Sequence, residues 1–220
     1  MDEELELLLA SLQERQDERV GPFELHRGVL ETHPVLLAQC GIGKVNAAAL
    51  TQLLVSQGVE RLIFTGVAGA LEPSLNVGDI VISTDLVQHD VDATSFDYEL
   101  GQVPGETLAW AADAQLRRLA VEAARAVDNV QVLEGRILSG DQFIASPDKG
   151  AWLRETFGGV CTEMEGAAVA QVCAKWKIPF VIIRSMSDSA DDSAEVDFPT
   201  FVALAAGHAE QVVRGMLRKL

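Results

Sequence analysis

Short apolar β-type runs alternate along the chain with stretches whose apolar residues recur at helical spacing. Leu5, Leu8, Leu9 and Leu12 sit behind an acidic first turn, which suits a helix N-terminus and predicts a helix over residues 2–15. Two β-type runs follow, Phe23–Leu30 and Pro34–Gln39, and the second feeds the glycine turn Gly41–Lys44. A helix is predicted over Asn46–Gln57, stopped by Gly58. The apolar run Leu62–Phe64 ends in the small-residue segment Thr65–Leu71, and a second run, Asp79–Val87, leads into a polar loop carrying isolated aromatics. Then come a helix over Asp113–Val127, a strand over Val130–Leu138 and helices over Asp148–Phe157 and Met164–Trp176. Phe180–Ile183 has the β-branched character of a strand covered on both faces and closes on Arg-Ser-Met-Ser-Asp. Pro199 stands where an N1 proline would open the last helix, and Arg214, Arg218 and Lys219 suit its C-terminus.

This alternation predicts an α/β fold. The expected architecture is a single domain over residues 1–220, a central mostly parallel or mixed twisted sheet flanked by helices. No repeat, low-complexity tract or Pro/Ser-rich linker divides it. In such sheets ligands collect at the carboxyl ends of strands, where this chain places its glycine-rich and carboxylate-bearing segments.

Charge narrows the function class. The 220 residues hold 17 Lys+Arg against 33 Asp+Glu, a formal charge of −16. That balance opposes binding to phosphate backbones and to anionic lipid, so neither a nucleic-acid nor a membrane partner is expected. No apolar run reaches the ~20 residues of a membrane span, and the acidic start lacks the positive segment of a signal peptide, so a cytoplasmic location is expected. Cys40, Cys161 and Cys173 form no CxxC pair and read as small buried thiols.

Several motifs fail on spacing. Gly-Ile-Gly-Lys is followed by Val45 rather than Ser or Thr and is too short for a phosphate-binding P-loop. It reads as a turn that lets backbone approach a neighbour closely and displays Ile42. The cluster Asp188, Asp191, Asp192, Glu195 and Asp197 lacks the alternation and central glycine of a calcium loop. His26, His33, His89 and His208 show no zinc-protease spacing, and a nucleophile elbow is absent, so neither metal nor cofactor is expected. Asp188 stands apart, because it follows a buried strand directly and partial desolvation favours the protonated carboxyl that a general acid requires. Glu163 and Glu165 flank Met164 ahead of a helix. Two readings of that pair stand equal: acids serving the helix dipole, or a polyol-binding site.

Taken together, MDEE, GIGKVNAA, TGVAGAL with VGDIV, the loop ATSFDYELGQVPG, SGDQFI, TEMEGAAVAQVC and IPFVIIRSMSDSAD resemble the 5′-methylthioadenosine/S-adenosylhomocysteine nucleosidases of the nucleoside phosphorylase superfamily. The likeness runs in the family's order over nearly the whole chain. It implies hydrolysis of the N-glycosidic bond of adenine nucleosides bearing a 5′-thioether, through an oxocarbenium-like ribosyl cation. By position in the motifs, Asp188 would protonate adenine N7 with Ser187 orienting it, Glu4 would activate the water, and Glu165 would bind ribose hydroxyls and stabilise the cation. Glu163 and Met164 would belong to the ribose site, with Arg184 close to the Glu165 end. Phe143 would face the adenine ring, the Ile144 backbone would read its edge, and Val67, Ala68 and Gly69 would form the floor. Met1, Ile42 and Phe198 would give apolar surface to the 5′-thioether pocket. Phe96, Tyr98, Pro104 and Ala93 would reach that pocket from the second subunit of a homodimer with shared sites.

The likeness also has departures. Family members usually open with a short apolar strand ending in Gly-Ala directly before the Met-acid-Glu-Glu stretch, and nothing precedes Met1 here. The expectation is a native start roughly eight residues upstream, the length of a short strand, because a catalytic Glu4 at a fraying end would be poorly held. Val67 stands where some relatives carry a hydroxyl residue. Rival readings are a phosphorylase, which would need basic residues placed for phosphate, a futalosine-type hydrolase, which would want a basic residue in the loop 93–104, and a non-catalytic adenosine-binding module.

Overall fold

Strands and helices alternate in the computed structural model, which describes residues 2–188 and 194–220, and the side chains of these apart from 194–200, 202 and 203. Helix α1 (Asp2–Ala10) precedes β1 (Gln13–Val20), β2 (Phe23–Leu30) and β3 (His33–Ala38), which form an antiparallel three-stranded sheet in chain order. After α2 (Lys44–Ser56) come β4 (Leu62–Ala70), β5 (Ile80–Gln88) and the two-residue β6 (Trp110–Ala111). The chain continues through α3 (Ala114–Ala124), β7 (Val132–Ser139), α4 (Pro147–Phe157), β8 (Gly159–Glu163), α5 (Gly166–Trp176), β9 (Phe180–Asp188) and α6 (Ala194–Leu217).

The larger sheet is mixed, in the order β6-β5-β7-β8-β4-β9, and β9 pairs again with β5. Strands β5, β7, β8, β4 and β9 therefore close into a small barrel. The pairs β4–β9, β5–β7 and β7–β8 are parallel, while β4–β8 and β5–β9 are antiparallel. Helices α2 and α5 pack on one side around Ala47, Val169 and Ile182; α3 and α6 cover the other around Leu116, Val212 and Met216. Helix α1 is tied down by Leu8, which shares a cluster with Leu30, Val213 and Leu217. The α/β class and mixed sheet agree with the expectation, and no described helix is long and apolar enough to cross a membrane.

Several boundaries differ for identifiable reasons. The expected helix over residues 2–15 ends at Ala10, and Gln13–Val20 is a strand whose side chains are almost all exposed, so no apolar periodicity marks it. Thr65–Ala70 continues β4 rather than turning, and Arg184–Asp188 continues β9. Small and polar residues resemble a loop in sequence, yet these two segments pair along their length, Gly66 with Arg184 and Ala68 with Met186. The last helix begins at Ala194, so Pro199 lies inside it and not at its first position.

Side-chain caps explain two of the helix starts. Asp113 caps α3 by accepting the N–H groups of Gln115 and Leu116, and Ser146 caps α4 with Pro147 at its first turn. Gly58, at φ +84°, ends α2 as expected.

Candidate active site

Barrel closure brings the carboxyl ends of β4, β7, β8 and β9 to one mouth. Here Glu163 closes β8, Ser139 closes β7 and Asp188 closes β9, each buried. Helix α5 starts directly after β8, with Glu165 in its N-cap position. The Glu163 carboxylate accepts the N–H of Glu165 at 3.1 Å and of Gly166 at 2.8 Å, and Ser139 Oγ accepts the N–H of Ala167 at 2.7 Å while donating to Glu163. Arg184 donates to Glu163 Oε2, the oxygen that also accepts those two backbone N–H groups. Glu163 is committed to the helix start, Ser139 and Arg184, and both Glu163 and Glu165 line the cavity.

Arg184 is fully buried, with its guanidinium 4.4 Å over the Phe64 ring and 3.8 Å from Glu165 Oε2. Gly66 makes room for it, since a Cβ there would stand 2.1 Å from Arg184 Nη1. Glu165 Oε1 accepts the N–H of Gly43 at 2.8 Å. That turn needs its glycines, Gly41 at φ +81° and Gly43 at φ +94°. Burial and the neighbouring Glu163 charge raise the Glu165 pKa, against the lowering effect of Arg184 and the two backbone N–H groups of Gly43 and Met164. The Cys40 thiol nearby is pushed up to about 11 by burial and by Glu165.

Asp188 is 3% exposed and accepts a 2.7 Å hydrogen bond from Ser187 Oγ. Glu4, on α1, is 4% exposed and lines the same cavity as Asp188 and Glu165. That cavity measures about 1120 Å³. It also takes in Val67, Ala68, Gly69 and Ile144 on its floor, Met164, Arg184 and Ser187 beside the acids, and Ile42 and Phe143 at its rim. The structure thus brings together every described residue expected from the chain's own subunit. Met1 and the side chain of Phe198 lie outside the described residues, as do residues 189–193 and the side chains of Glu195 and Asp197.

Phe96, Tyr98 and Pro104 do not line this cavity, and Phe96 is 77% exposed. Ala93 differs from them, because it is buried within its own chain. Ser139 and Gly66 carry parts of the site that no motif assigned, their only signal being the small residues around each, whereas the turn glycines make the close backbone approach that their motif predicts. Among the described residues no group of His, Cys, Asp and Glu could hold a metal ion.

The cavity exceeds the about 300–1,000 Å³ of ordinary small-ligand sites. Beyond the acids it runs as a groove between β3 and β4, walled by Leu36, Ala38, Leu50 and Leu62. There β3 pairs only with β2, and β4 over Leu62–Ala68 pairs only with β9 among the described residues.

Comparison with known proteins agrees with this geometry. A family model described as the phosphorylase superfamily matches residues 1–218. The chain is 44% identical over 222 residues to the 5′-methylthioadenosine/S-adenosylhomocysteine nucleosidase of Bacillus cereus strain B4264, covering 100% of this chain and 96% of that one. The Neisseria meningitidis nucleosidase of the same name, solved with methylthio-immucillin-A, superposes with a TM-score of 0.96 at 40% identity, over 100% of this chain and 96% of that one. A structure named futalosine hydrolase from Helicobacter pylori gives 0.94 at 34% identity, over 100% and 95%. With its closed mixed barrel and its acids gathered at one mouth, this chain belongs to the phosphorylase superfamily and, within it, to the 5′-methylthioadenosine/S-adenosylhomocysteine nucleosidase family.

Proposed function

We propose that this chain hydrolyses the N-glycosidic bond of 5′-methylthioadenosine and S-adenosylhomocysteine, releasing adenine and the 5-thio-ribose product. The observation that carries the reading is Glu165, held in one orientation between the Gly43 N–H and Arg184 in a cavity shared with the buried Asp188 and Glu4. The bond between C1′ and N9 breaks with its electron pair passing to the purine, and Asp188 gives N7 a proton. Glu165 binds the ribose hydroxyls and places negative charge beside the ribosyl cation. Water adds to C1′ and loses its proton to Glu4, a division between acid and base like that of inverting glycoside hydrolysis. Ser187 orients Asp188, and Phe143 with the Ile144 backbone holds the adenine.

Adenine release from methylthioadenosine in phosphate-free buffer tests the activity. Release that requires phosphate would make the enzyme a phosphorylase. Asp188→Asn is expected to retain nucleoside while losing about 10²–10⁴ in rate, since an amide supplies no proton; near-normal turnover removes Asp188 from the mechanism. The futalosine hydrolase neighbour favours one second reading, a bulkier carboxylated 5′ group. The loop 93–104 holds no Lys or Arg to meet it, so methylthioadenosine is expected to turn over faster than aminofutalosine when the two are compared side by side.

A further inference from the structure

Behind the glycine turn lies a closed ring of polar contacts that the chemistry above does not use. Lys44, the first residue of α2, donates from Nζ to Asp90 Oδ1 at 2.7 Å and to Gln88 Oε1 at 3.0 Å. Asp90 Oδ2 accepts the N–H of Asp141 at 2.9 Å, and Asp141 Oδ1 accepts the N–H of Lys44 at 2.8 Å. The ring therefore joins the ends of β5 and β7 to the start of α2. Gln88 extends it, donating to Gln171 Oε1 at 2.7 Å on α5, the helix that Glu165 opens.

Three features separate this ring from a surface ion pair. Lys44 and Asp90 are only 18% and 13% exposed, so each depends on the other and on its further partners in place of water. Helix α2 begins on Gly43, which has no side chain to cap it, and Asp141 supplies the acceptor from 97 residues away. The Gly43 Cβ position would lie 3.1 Å from Asp141 Oδ1, so the carboxylate sits directly against the turn. One residue from Lys44, the Gly43 N–H makes its bond to Glu165.

We propose that Lys44, Asp90 and Asp141 are positioning residues for bond cleavage: they fix the glycine turn so that Gly43 commits one oxygen of Glu165 and holds its carboxylate against the sugar. This rests on the cleavage role given to Glu165 under the proposed function. The consequence differs from plain structural support. Loosening the turn removes a hydrogen bond that favours the charged form of Glu165, while its other facing groups stay: Glu163 on β8, Arg184 on β9, Cys40, and Glu4 on α1 acting on Arg184. The acid limb of the rate profile then moves to higher pH.

The test is a double-mutant cycle on adenine release from methylthioadenosine, using Lys44→Met, Asp90→Asn and Glu165→Gln, with circular dichroism of each variant. Lys44→Met is expected to lower kcat about tenfold or more, leave KM within about threefold and shift the acid limb upward, with Lys44→Arg recovering most of the rate. In the Glu165→Gln background, Lys44→Met should add little, because its effect runs through that carboxylate. Asp90→Asn, which keeps the side-chain shape, repeats the test if Lys44→Met folds poorly. Full additivity with Glu165→Gln, or a loss confined to KM with an unmoved acid limb, overturns the positioning role. Absence of adenine release by the unsubstituted protein overturns the activity itself, and this role with it.

Discussion

Glu165 is pulled in opposite directions by its surroundings, and in its proposed role that balance sets how activity depends on pH. Burial and Glu163 favour its neutral form, whereas Arg184 and the N–H groups of Gly43 and Met164 favour the charged one, and the net shift is upward. In the cleavage role proposed for Glu165 only the ionised carboxylate stabilises the ribosyl cation, so activity is expected above the raised pKa and lost as pH falls through it. The acid limb of kcat/KM is therefore expected above 4.5, the ordinary glutamate value. Glu165→Gln should remove that limb and slow cleavage more than it weakens binding. A limb at or below the ordinary value would mean that another group controls it. Arg184 makes a second prediction at this scale. Gly66→Ala would drive a methyl group into the guanidinium, and overpacking a filled core costs typically about 1–3 kcal/mol. A drop in Tm, with a further loss of activity from the displaced Arg184, checks it.

At the scale of elements, the strands and helices that bury one face were legible, because burial writes its period into the sequence. Helices α2, α3, α4 and α5 and strands β2, β3, β5 and β7 fall close to where periodicity placed them. Strand β1 left no such mark, since nearly all its side chains meet solvent. The far halves of β4 and β9 were hidden for the opposite reason: small residues such as Gly66 and Gly69, and polar ones such as Arg184 and Ser187, are buried there along the cavity. Asp188 and the Glu163/Glu165 pair stood out from the residues themselves, and Glu4 only through the family resemblance. Ser139, Lys44, Asp90 and Asp141 carried no assigned role, because their contacts arise between segments far apart in the chain.

For the whole molecule, the distribution of exposed apolar side chains bears on assembly. Ile42 and Phe143 are 73% and 52% exposed at the rim of the cavity, Val45 close to Ile42 in the chain is 78% exposed, and Phe96 is 77% exposed on a loop that does not reach its own chain's cavity. We propose a homodimer in which each loop completes the partner's site, which would cover both sets at once, with Phe96, Tyr98 and Pro104 closing the 5′-thioether pocket. Burying one phenylalanine is worth about 1.5–3 kcal/mol, so Phe96→Ala is expected to raise KM for methylthioadenosine by about tenfold or more. The decisive measurement mixes two weak variants. Refolding Phe96→Ala together with Glu165→Gln forms heterodimers in which the Phe96→Ala subunit supplies an intact Glu165 and its partner supplies an intact Phe96. One complete site per heterodimer results, and activity at low substrate should exceed that of either variant alone. Were each site built from a single chain, the mixture would give no more than the average of its parents.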